Sequence, residues 1–477
     1  MGRKILLAVL CSFIFSTIQS QISWNATSNI AVSSFGNDHP RIVMDKLGNP
    51  IVVWNHSSNV MFSRWLGSNF STPVALNPGT ITVAGSNWFG PNIASHGDTV
   101  YVVFKQTPES SSNSHIWCMN SFDGGVTFSL PVQVENIGSN LSSFPTITTD
   151  DLGHPIIGFM KYNSSFGDAK WVVTRSFDYG SSYLPDTIAS GWSSPTSEVC
   201  ECCPGAITTS TNTVAMLYRD NDNNIRDSWA GISTDYGITF TGGMNINQLN
   251  WLVTSCPSSG PDGFIIGDTL YSTFMSKASG MNRVYFNKSS ISSLANSTGI
   301  LMTGNISGLT QQNFPRIANS GSATAIVWKQ IVGGLSELPI LFTNDIKNGL
   351  PTLYDTVTSI NALNTDVTLF NGTIFVVWQN NSSGTIQYRS GTYSITEIKE
   401  EIPLHVIDIY PNPSSNYITI NKAIEFNEIK IIDISGKVIK SISPVNNSID
   451  VSDLPNGIYL IKLLGEKETL IQKFIKQ

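Results

Sequence analysis

The sequence predicts an all-β protein, and three observations lead to that prediction. Only 13% of the 477 residues are charged, against about 25% in an average soluble domain. Glycine, Ser, Thr and Asn are abundant, whereas long helical runs of Leu, Ala, Glu and Lys are missing. Short apolar segments recur between turn residues, as expected of strands joined by tight turns.

Composition and charge argue against two classes of protein. At 41% apolar residues, the chain can bury a large core, which excludes wholesale disorder. The formal net charge is −7, from 27 basic and 34 acidic residues. A nucleic-acid-binding protein needs a basic face that displaces counterions from phosphates. We therefore expect no nucleic-acid partner.

Residues 1–20 are predicted to be a cleaved secretory signal peptide. Arg3 and Lys4 form a positive start, an apolar run extends from Ile5 to Ile18, and Ser20 supplies a small residue at the end. The run is shorter than the roughly 18–20 residues that a membrane-spanning helix needs. We expect an exported chain without a transmembrane segment.

One pattern recurs between residues 21 and 398. It consists of Pro-x-Ile, a turn with Gly or Asp, and an apolar strand that ends in an aromatic residue. The copies begin at Pro40, Pro91, Pro145, Pro204, Pro261, Pro315 and Thr365, and their aromatic residues are Trp54, Phe104, Phe159, Tyr218, Phe274, Trp328 and Trp378. Each aromatic lies 13 or 14 residues after its copy begins, and neighbouring copies begin 50 to 59 residues apart.

A third strand follows in each copy, as at Ile116–Asn120, and a fourth follows in the fullest copies. Units of roughly 50 residues with four short strands are typical of propeller blades, which stack radially because no blade buries both its faces alone. We predict a β-propeller over residues 21–398 with seven blades. Six blades are the alternative, should the fourth or fifth copy be misread.

Three copies carry a further motif between strands three and four. Residues 121–128 and 233–240 match Ser-x-Asp-x-Gly-x-Thr-aromatic at every position, and residues 176–183 are a looser version. The Asp is expected to accept hydrogen bonds from its own turn, and the Gly to take a positive φ. The motif resembles the Asp-box, or BNR repeat, of sialidase-superfamily propellers. That resemblance implies the fold and gives Asp123, Asp178 and Asp235 structural roles.

The strand order predicts which mouth of the channel can bind a ligand. Strand one lines the channel and strand two returns antiparallel, so the start of one and the end of the other share a mouth. The residues after the copy starts include Arg41, Asp262, Arg316 and Asp366, and the strand-two ends include Lys105, Lys161, Arg219 and Lys329. Clustered arginines suit a carboxylate, sulfate or phosphate. The alternative is that these side chains are solvated strand ends.

Sialidases carry an aromatic-Arg-Ile-Pro motif on the first blade, whose Arg holds the sugar carboxylate. The matching run is His39–Val43, which keeps Arg41-Ile42 but lacks the aromatic and the Pro. No run identifies a Tyr nucleophile paired with a Glu. If the chain is an exo-sialidase, the resemblance implies Arg41 and Arg219 as carboxylate ligands. Asp220 or Asp227 would then be the acid/base, with a pKa raised by burial.

The fourth copy is rich in cysteine and charge. Cys200-Glu-Cys-Cys-Pro204 opens it, Arg226 follows its second strand, and Cys256-Pro257 precedes the fifth copy. These segments resemble a subgroup of secreted Asp-box proteins. In an exported chain, Cys200, Cys202, Cys203 and Cys256 are expected to form two disulfides. A thiolate site for zinc or copper(I) is the alternative. Cys118 is expected to be a buried free thiol.

The pattern of residues along the chain changes after a short charged linker at residues 399–402. Residues 403–477 contain Tyr410-Pro-Asn-Pro413, Leu454-Pro-Asn-Gly457 and a closing Lys473-Phe-Ile-Lys476 among alternating apolar segments. The pattern predicts a small β-sandwich. Its motifs resemble the C-terminal sorting domain of the type IX secretion system of Bacteroidetes. This implies export by that machinery to the cell surface or the medium.

We therefore predict a secreted or cell-surface propeller that binds an extracellular glycan or another anionic ligand. The predicted ligand-binding residues are Arg41, Lys105, Arg219, Arg226 and Arg316, and no cofactor is predicted outside the cysteine-rich segment. An exo-acting, sialidase-like glycoside hydrolase and a structural adhesion module are the alternatives. A carboxylate pair roughly 5–10 Å apart over a pocket would favour the hydrolase. Arginines without such a pair would favour binding.

Overall fold

The computed structural model describes residues 22–30, 35–86, 88–108, 115–135, 140–394, 409–420, 426–433, 437–443, 446–465 and 469–477. The predicted signal peptide (1–20) and linker (399–402) lie outside these residues. The chain divides into two compact units, residues 1–396 and 397–477. The described residues form strands, one short 3-10 helix at Ile346–Asn348 and no α-helix, so the all-β prediction is confirmed. Among them, no helix is long and apolar enough to cross a membrane.

The described part of the first unit contains seven antiparallel sheets. The N-terminal strands are β1 (Ile22–Trp24) and β2 (Ser28–Asn29). Sheet 1 contains β3 (Asn37–Met44), β4 (Pro50–His56), β5 (Asn59–Arg64) and β6 (Val74–Ala75). Sheet 2 contains β7 (Asn92–His96), β8 (Thr99–Lys105), β9 (Ile116–Ser121) and β10 (Val132–Gln133). Sheet 3 contains β11 (Leu141–Thr149), β12 (Pro155–Tyr162), β13 (Lys170–Arg175) and β14 (Thr187–Ile188).

The remaining sheets follow the same plan. Sheet 4 contains β15 (Glu198–Val199), β16 (Ala206–Ser210), β17 (Thr213–Asn221), β18 (Ser228–Ser233) and β19 (Gly242–Asn245). Sheet 5 contains β20 (Asp262–Ile266), β21 (Thr269–Ser276), β22 (Arg283–Ser290) and β23 (Ile300–Leu301). Sheet 6 contains β24 (Leu309–Ser320), β25 (Ala323–Val332), β26 (Leu335–Thr343) and β27 (Asp355–Thr358). Sheet 7 contains β28 (Ala362–Phe370), β29 (Thr373–Asn380) and β30 (Thr385–Tyr393).

The second strand of each sheet explains why the repeat needs its closing aromatic. These strands are near-continuous apolar runs, such as Ile51-Val-Val-Trp54, and are buried on both faces. All seven closing aromatics have no exposed surface. Each therefore fills the space between its own sheet and a neighbour, which a smaller side chain would leave as a cavity.

The seven sheets form a closed ring. Their first strands contact one another in the order β3, β7, β11, β16, β20, β24, β28 and back to β3. The start of the chain completes the last sheet, because β1 and β2 pair antiparallel with β30. Sheets packed radially around their first strands are the architecture of a β-propeller.

Four first strands contain a β-bulge where the repeat begins. The residue before the repeat start has a positive φ in each of them: His39 (57°), Phe144 (52°), Phe314 (53°) and Asn364 (49°). The strand register shifts at the same four places. A positive φ is unfavourable for a side chain other than Gly, but a bulge redirects the neighbouring side chains. These four residues line the channel cavity described below.

The Ser-x-Asp turns (residues 121–128, 176–183 and 233–240) satisfy their own hydrogen bonds. Asp123 Oδ1 accepts the Val126 and Thr127 backbone N–H groups, both at 2.9 Å. Asp178 and Asp235 accept the equivalent N–H and hydroxyl groups of Ser182 and Thr239. The bonds from Thr127 hold the pKa of Asp123 at about 2. Each turn thus stabilises its ionised Asp with its own backbone.

These turns lie at the end of the sheets opposite the repeat starts. The Gly124 backbone N–H donates to Asp98 O at 2.9 Å, and the Tyr236 N–H donates to Asn212 O at 2.7 Å. Asp98 and Asn212 lie in the turns that join first and second strands. The Ser-x-Asp turns therefore brace the mouth that the repeat starts do not occupy.

The described residues of the second unit form two antiparallel sheets. Its strands are β31 (Ile409–Tyr410), β32 (Tyr417–Ile420), β33 (Glu428–Asp433), β34 (Val438–Ile442), β35 (Ser448–Asp450), β36 (Gly457–Leu464) and β37 (Thr469–Lys476). One sheet has the order β31-β32-β35 and the other β34-β33-β36-β37. Ile418, Ile429 and Ile461, from both sheets, share one hydrophobic core. Alternate residues of β36 are buried, as expected of strands with one face in a core.

Candidate functional site

A small cavity that is partly open to solvent lies where the first strands begin. All seven copies of the repeat contribute to its lining, which is His39, Arg41, Trp88, Phe89, Gly90, Asn92, Phe144, Pro145, Pro204, Gly205, Ser258, Ser259, Gly260, Pro261, Phe314, Pro315, Arg316, Asn364 and Thr365. The wall combines aromatic rings with a small number of polar groups. This is the usual composition of a site that binds a small ligand.

Arg41 lines this cavity and forms no ion pair with a described carboxylate, although Asp366 and Asp262 lie near enough to favour its charged form. Its side chain is buried, and its Nη1 donates to Pro40 O at 2.8 Å. Its Nε has no hydrogen-bond partner among the described residues. Burial and the nearby Arg316 lower the pKa of Arg41 to about 10, so it stays charged at neutral pH. An incompletely bonded guanidinium therefore lies at the cavity wall.

His39 extends the same incomplete hydrogen-bonding surface. It lies two residues before Arg41, is buried, and its Nδ1 has no partner among the described residues. Burial, together with the charges of Arg41 and Arg316, lowers the pKa of His39 well below its usual value. The imidazole is therefore neutral, with one nitrogen able to donate and the other able to accept.

Arg316 occupies the same position in its repeat as Arg41 but is fully paired. Its Nε lies 3.0 Å from Asp366 Oδ1 and 3.4 Å from Asp262 Oδ2. Although burial opposes it, these two carboxylates raise the pKa of Arg316 above its ordinary value. Two carboxyl groups therefore share the single guanidinium of Arg316.

The two carboxylates that pair with Arg316 also join neighbouring sheets. Asp366 Oδ2 accepts the Ile42 backbone N–H at 3.1 Å, and Asp262 Oδ2 accepts that of Ile317 at 2.9 Å. Each Asp thereby binds the first strand of the next sheet around the ring. Neither residue is part of the cavity lining. The two carboxylates therefore join Arg316 to the ring of first strands, and their charge also favours the ionised form of Arg41.

Three predicted basic residues lie at strand-two ends without lining the cavity. Lys105 is buried and its Nζ lies 3.3 Å from Ser143 Oγ. Lys161 forms an ion pair with Asp186 at 2.8 Å. Lys329 is half-buried, which lowers its pKa, and its Nζ lies 3.5 Å from Asn361 Oδ1. Among the residues that the structure describes, Arg41 and Arg316 are the predicted ligand residues that line the cavity.

Arg219 is fully buried and bonded to the backbone. Its Nε, Nη1 and Nη2 donate to the carbonyls of Ser259 (3.0 Å), Arg226 (2.6 Å) and Met275 (2.7 Å). Its guanidinium also lies over the Trp251 ring, 5.2 Å from the centroid. These contacts give Arg219 the role of a brace between loops, and its predicted role as a ligand residue stays untested.

The predicted acid/base candidates are buried away from the cavity lining. Asp227 accepts the side-chain amides of Asn245 and Asn247 and the backbone N–H groups of Asn250 and Trp251, at 3.0 to 3.3 Å. Asp220 accepts the Ser193 hydroxyl, and its Oδ1 has no described partner. Burial raises the pKa of Asp220 to about 7. Both acid/base assignments stay predictions.

The four cysteines of the fourth and fifth copies lie together. Disulfides join Cys200 to Cys203 and Cys202 to Cys256. Arg226, buried and without a place in the cavity lining, donates from Nη1 to Cys200 Sγ at 3.0 Å. Cys118 is a buried free thiol, and burial raises its pKa to about 12.

Some features of this site were not predicted from the sequence. His39 and Trp88 line the cavity, but neither belongs to the repeated pattern that located Arg41. Asp262 and Asp366 stand at the same repeat position as the two arginines. Opposite charges at one position of adjacent copies could have indicated pairing around the ring.

Comparison with known proteins identifies the end of the chain. Residues 408–477 match a family described as the secretion system C-terminal sorting domain. No curated protein sequence matches the chain.

Solved structures resemble the chain only at low sequence identity. A protein of unknown function from Dyadobacter fermentans DSM 18053 has a TM-score of 0.50 at 9% identity, covering 79% of this chain and 100% of that one. An α-L-arabinanase from Penicillium chrysogenum complexed with arabinobiose has a TM-score of 0.46 at 13% identity, with coverages of 68% and 99%. The NanB sialidase of Streptococcus pneumoniae has a TM-score of 0.42 at 12% identity, with coverages of 77% and 70%.

These likenesses concern the fold alone, whereas the sorting-domain match concerns a specific module. Its position agrees with the motifs from Tyr410 to Lys476 that predicted such a domain. The chain therefore ends in a type IX secretion C-terminal sorting domain, which indicates a secreted or cell-surface protein.

Proposed function

We propose that this secreted or cell-surface protein binds an extracellular glycan, or another anionic ligand, in the cavity at the mouth where the repeats begin. The observation that carries the proposal is Arg41, a buried guanidinium that lines the cavity and whose Nε has no described partner. A buried charge is costly unless it is paired. An anionic ligand would supply the missing partner.

The scaffold that we propose follows from the repeat. Each of the seven sheets is one blade, residues 21–398 are the propeller, and the Ser-x-Asp turns are Asp-boxes. Residues 1–20 are the signal peptide, and residues 403–477 form a β-sandwich that addresses the chain to type IX secretion. Two observations support this organisation. The seven first strands contact one another in a closed ring, and β1 pairs with β30.

The charges around the cavity favour a ligand with a single anionic group. Arg316 already has two carboxylates within 3.4 Å of its Nε. Arg41 forms no such ion pair with any described carboxylate, and the adjacent His39 is neutral. A guanidinium with free N–H groups can bind a carboxylate, sulfate or phosphate through two parallel hydrogen bonds. The neutral imidazole can bind a hydroxyl beside it.

The aromatic wall supports a sugar as the body of the ligand. Trp88 is 39% exposed, although a large aromatic is usually covered. Phe89 packs edge-to-face on Phe144 at 5.2 Å, which holds its ring at the cavity. Flat apolar surfaces next to a few polar groups suit a pyranose, whose ring has apolar C–H faces and a polar edge.

A binding panel tests the proposal directly. Oligosaccharides of equal length that end in a carboxylate, a sulfate, a phosphate or a neutral sugar are immobilised and probed with the full chain. We expect retention on at least one anionic series, loss in Arg41→Met, and retention in Arg64→Met. Arg64 is a half-buried arginine at the end of β5 and serves as the matched control. Equal retention on neutral and anionic sugars would contradict the proposal.

The same panel separates binding from hydrolysis. Each combination of protein and sugar is also assayed for released monosaccharide, and Asp220→Asn is the variant compared with Arg41→Met. Binding without release supports the proposal. Release that Arg41→Met and Asp220→Asn both abolish would assign a glycoside hydrolase to this mouth and replace the binding-only function.

A further inference from the structure

We propose that Cys200, Cys202, Cys203 and Cys256, here called the cysteine cluster, bind one soft metal ion, zinc or copper(I), when they are reduced. This site is separate from the proposed ligand cavity, because none of the four cysteines belongs to the cavity lining. It also requires no catalytic activity. The four sulfur atoms converge, and a buried guanidinium lies beside them.

The sulfur atoms converge from two parts of the chain. Cys200, Cys202 and Cys203 lie in a tight turn that the Cys203 N–H closes onto Cys200 O at 3.1 Å. Cys256 comes from the loop before β20. All four Sγ atoms lie within 4.8 Å of one another. Two disulfides require only that each bonded pair be close, whereas a metal requires all four sulfurs around one point.

One distance across the cluster fits a shared metal. Cys200 Sγ and Cys202 Sγ belong to different disulfides, yet they lie 3.6 Å apart. Tetrahedral zinc with Zn–S bonds of about 2.3 Å places neighbouring sulfurs about 3.8 Å apart. This separation is close to that of two thiolates on one ion, and on reduction the two bonded pairs would move apart to a similar spacing.

Arg226 supplies an independent observation. It is 5% exposed, its Nη1 lies 3.0 Å from Cys200 Sγ, and its Nε has no described partner. Arg226 Nη1 also forms an ion pair with the exposed Glu201, whose Oε2 lies 3.6 Å away. A disulfide sulfur adds no charge beside this guanidinium, whereas a Cys200 thiolate would add a second, buried negative charge. Four thiolates on a zinc ion leave an excess negative charge, which a neighbouring guanidinium would offset as an outer-shell partner.

Conversion of the two disulfides to a metal site requires their reduction. Two equivalents of an external dithiol reduce the two disulfides, delivering four electrons and four protons, and leave as cyclic disulfides. The four thiols then lose their protons to solvent as their sulfurs bind the ion. The expected products are one metal-loaded cluster and four released protons per chain.

The metal would also fix one wall of the ligand cavity. Pro204 and Gly205 follow the first three cysteines, Ser258–Pro261 follow Cys256, and both segments line the cavity. They touch closely, because a Cβ on Gly260 would lie 1.8 Å from Pro204 O. A single ion at the cluster would hold both segments in place.

Metal titration of the reduced full chain tests the proposal. The chain is reduced anaerobically with a dithiol, desalted, and titrated with zinc alone or copper(I) alone against a colorimetric chelator. We expect one ion per chain and protection of four cysteines from alkylation. Cys256→Ser should lose stoichiometric binding, whereas Cys118→Ser, the matched control, should keep it. Arg226→Gln should weaken binding about tenfold, as outer-shell changes commonly do, and Arg226→Lys should restore most of it.

Three results would overturn the proposal. The first is no competition with the chelator for either ion. The second is binding that Cys256→Ser leaves unchanged. The third is a purified chain whose mass stays four hydrogens low after dithiol treatment, because its disulfides then never open. If reduction unfolds the chain, recovery of the β-sheet circular dichroism signal on adding metal supports the site, and failure to recover it counts against the site.

Discussion

The two ends of the sheets in the first unit differ in the hydrogen bonding of their charged and polar side chains. At the Ser-x-Asp turns, both carboxylate oxygens of Asp123 accept hydrogen bonds from residues of the same turn. At the other mouth, His39 Nδ1 and Arg41 Nε are buried without a described partner. Buried polar groups are nearly always bonded in native proteins. The Ser-x-Asp carboxylates are therefore structural, although Tyr183 Oη of one of these turns also has no described partner. We propose the mouth with His39 and Arg41 as the ligand site.

A second contrast lies within that mouth. Arg41 and Arg316 occupy the same position in copies one and six, but the described carboxylates of Asp262 and Asp366 both pair with Arg316. The neighbouring copies therefore decide the role of each arginine. Arg316 secures the ring of first strands, and we propose Arg41 as the ligand-binding arginine.

The largest expected effect separates these two arginines. Arg316→Met leaves two buried carboxylates without their cation, which should lower the free energy of unfolding by about 3–5 kcal/mol. Arg41→Met keeps most of the packing volume and breaks no ion pair, so we expect a loss below about 1 kcal/mol. Urea denaturation measures both. Equal losses would remove the distinction between a structural and a ligand-binding arginine.

A smaller effect is expected at the Ser-x-Asp turns. Asp235→Ala removes hydrogen bonds from Ser233 and Thr239 and should cost about 1 kcal/mol of unfolding free energy. Thr234→Ala, at the exposed neighbour, is the matched control and should cost nothing measurable. Anion binding should be unaffected by both changes. A loss of binding in Asp235→Ala would show that the two ends are coupled.

The pH dependence of stability should have opposite signs in different parts of the first unit. Glu135 accepts the Ile116 N–H and the Ser142 hydroxyl at 2.8 Å, and burial raises its pKa to about 8. Its unfolded pKa is about 4.3, so its contribution is present below that pH and is lost as pH rises toward 8. Asp123 and Asp178, with pKa values of about 2, contribute above about pH 4 and lose that contribution as pH falls toward 2.

Thermal unfolding across pH tests this difference. Glu135→Gln should raise the melting temperature by a few degrees near pH 8 and leave the decline below pH 4 unchanged. Asp123→Asn should alter only the acidic side. Identical profiles for Glu135→Gln and the unchanged chain would contradict the buried-carboxyl assignment.

The smallest effect concerns Cys118. This thiol is buried and its pKa is raised to about 12, so little reactive thiolate forms at neutral pH. We expect no alkylation of Cys118 in the folded chain and complete alkylation in urea, measured by mass spectrometry. Rapid labelling of the folded chain would mean that the sheet 2 core opens readily.

The sequence predicts the strands and the ring of repeat-start residues better than the contacts among those residues. An interval of 13 or 14 residues between repeat start and aromatic sets the register of the strands, because the aromatic must fill the gap between sheets. The position of Arg41 follows from that register. The β-bulges at His39 and Phe144 do not follow from local pattern, since a positive φ there depends on the packing of the whole ring. The pairing of Arg316 with Asp262 and Asp366 joins residues 54 and 50 positions apart, which only the closed ring brings together.

The cysteine-rich segment shows the same limit. Its spacing indicated either disulfides or a metal site. Cys200 Sγ and Arg226 Nη1 lie close together because the loop between β17 and β18, which holds Arg226, returns to the cysteine-rich turn. No local sequence pattern gives that contact.

The central claim is that Arg41 is the anion-binding group of the cavity. The most direct measurement is calorimetric titration of an anionic oligosaccharide and of the same sugar with its acid converted to a neutral amide. We expect the unchanged chain and Arg64→Met to bind the anion at least about tenfold more tightly, a difference of about 1.4 kcal/mol. Arg41→Met should bind both sugars equally. An unchanged preference for the anion in Arg41→Met would contradict the claim.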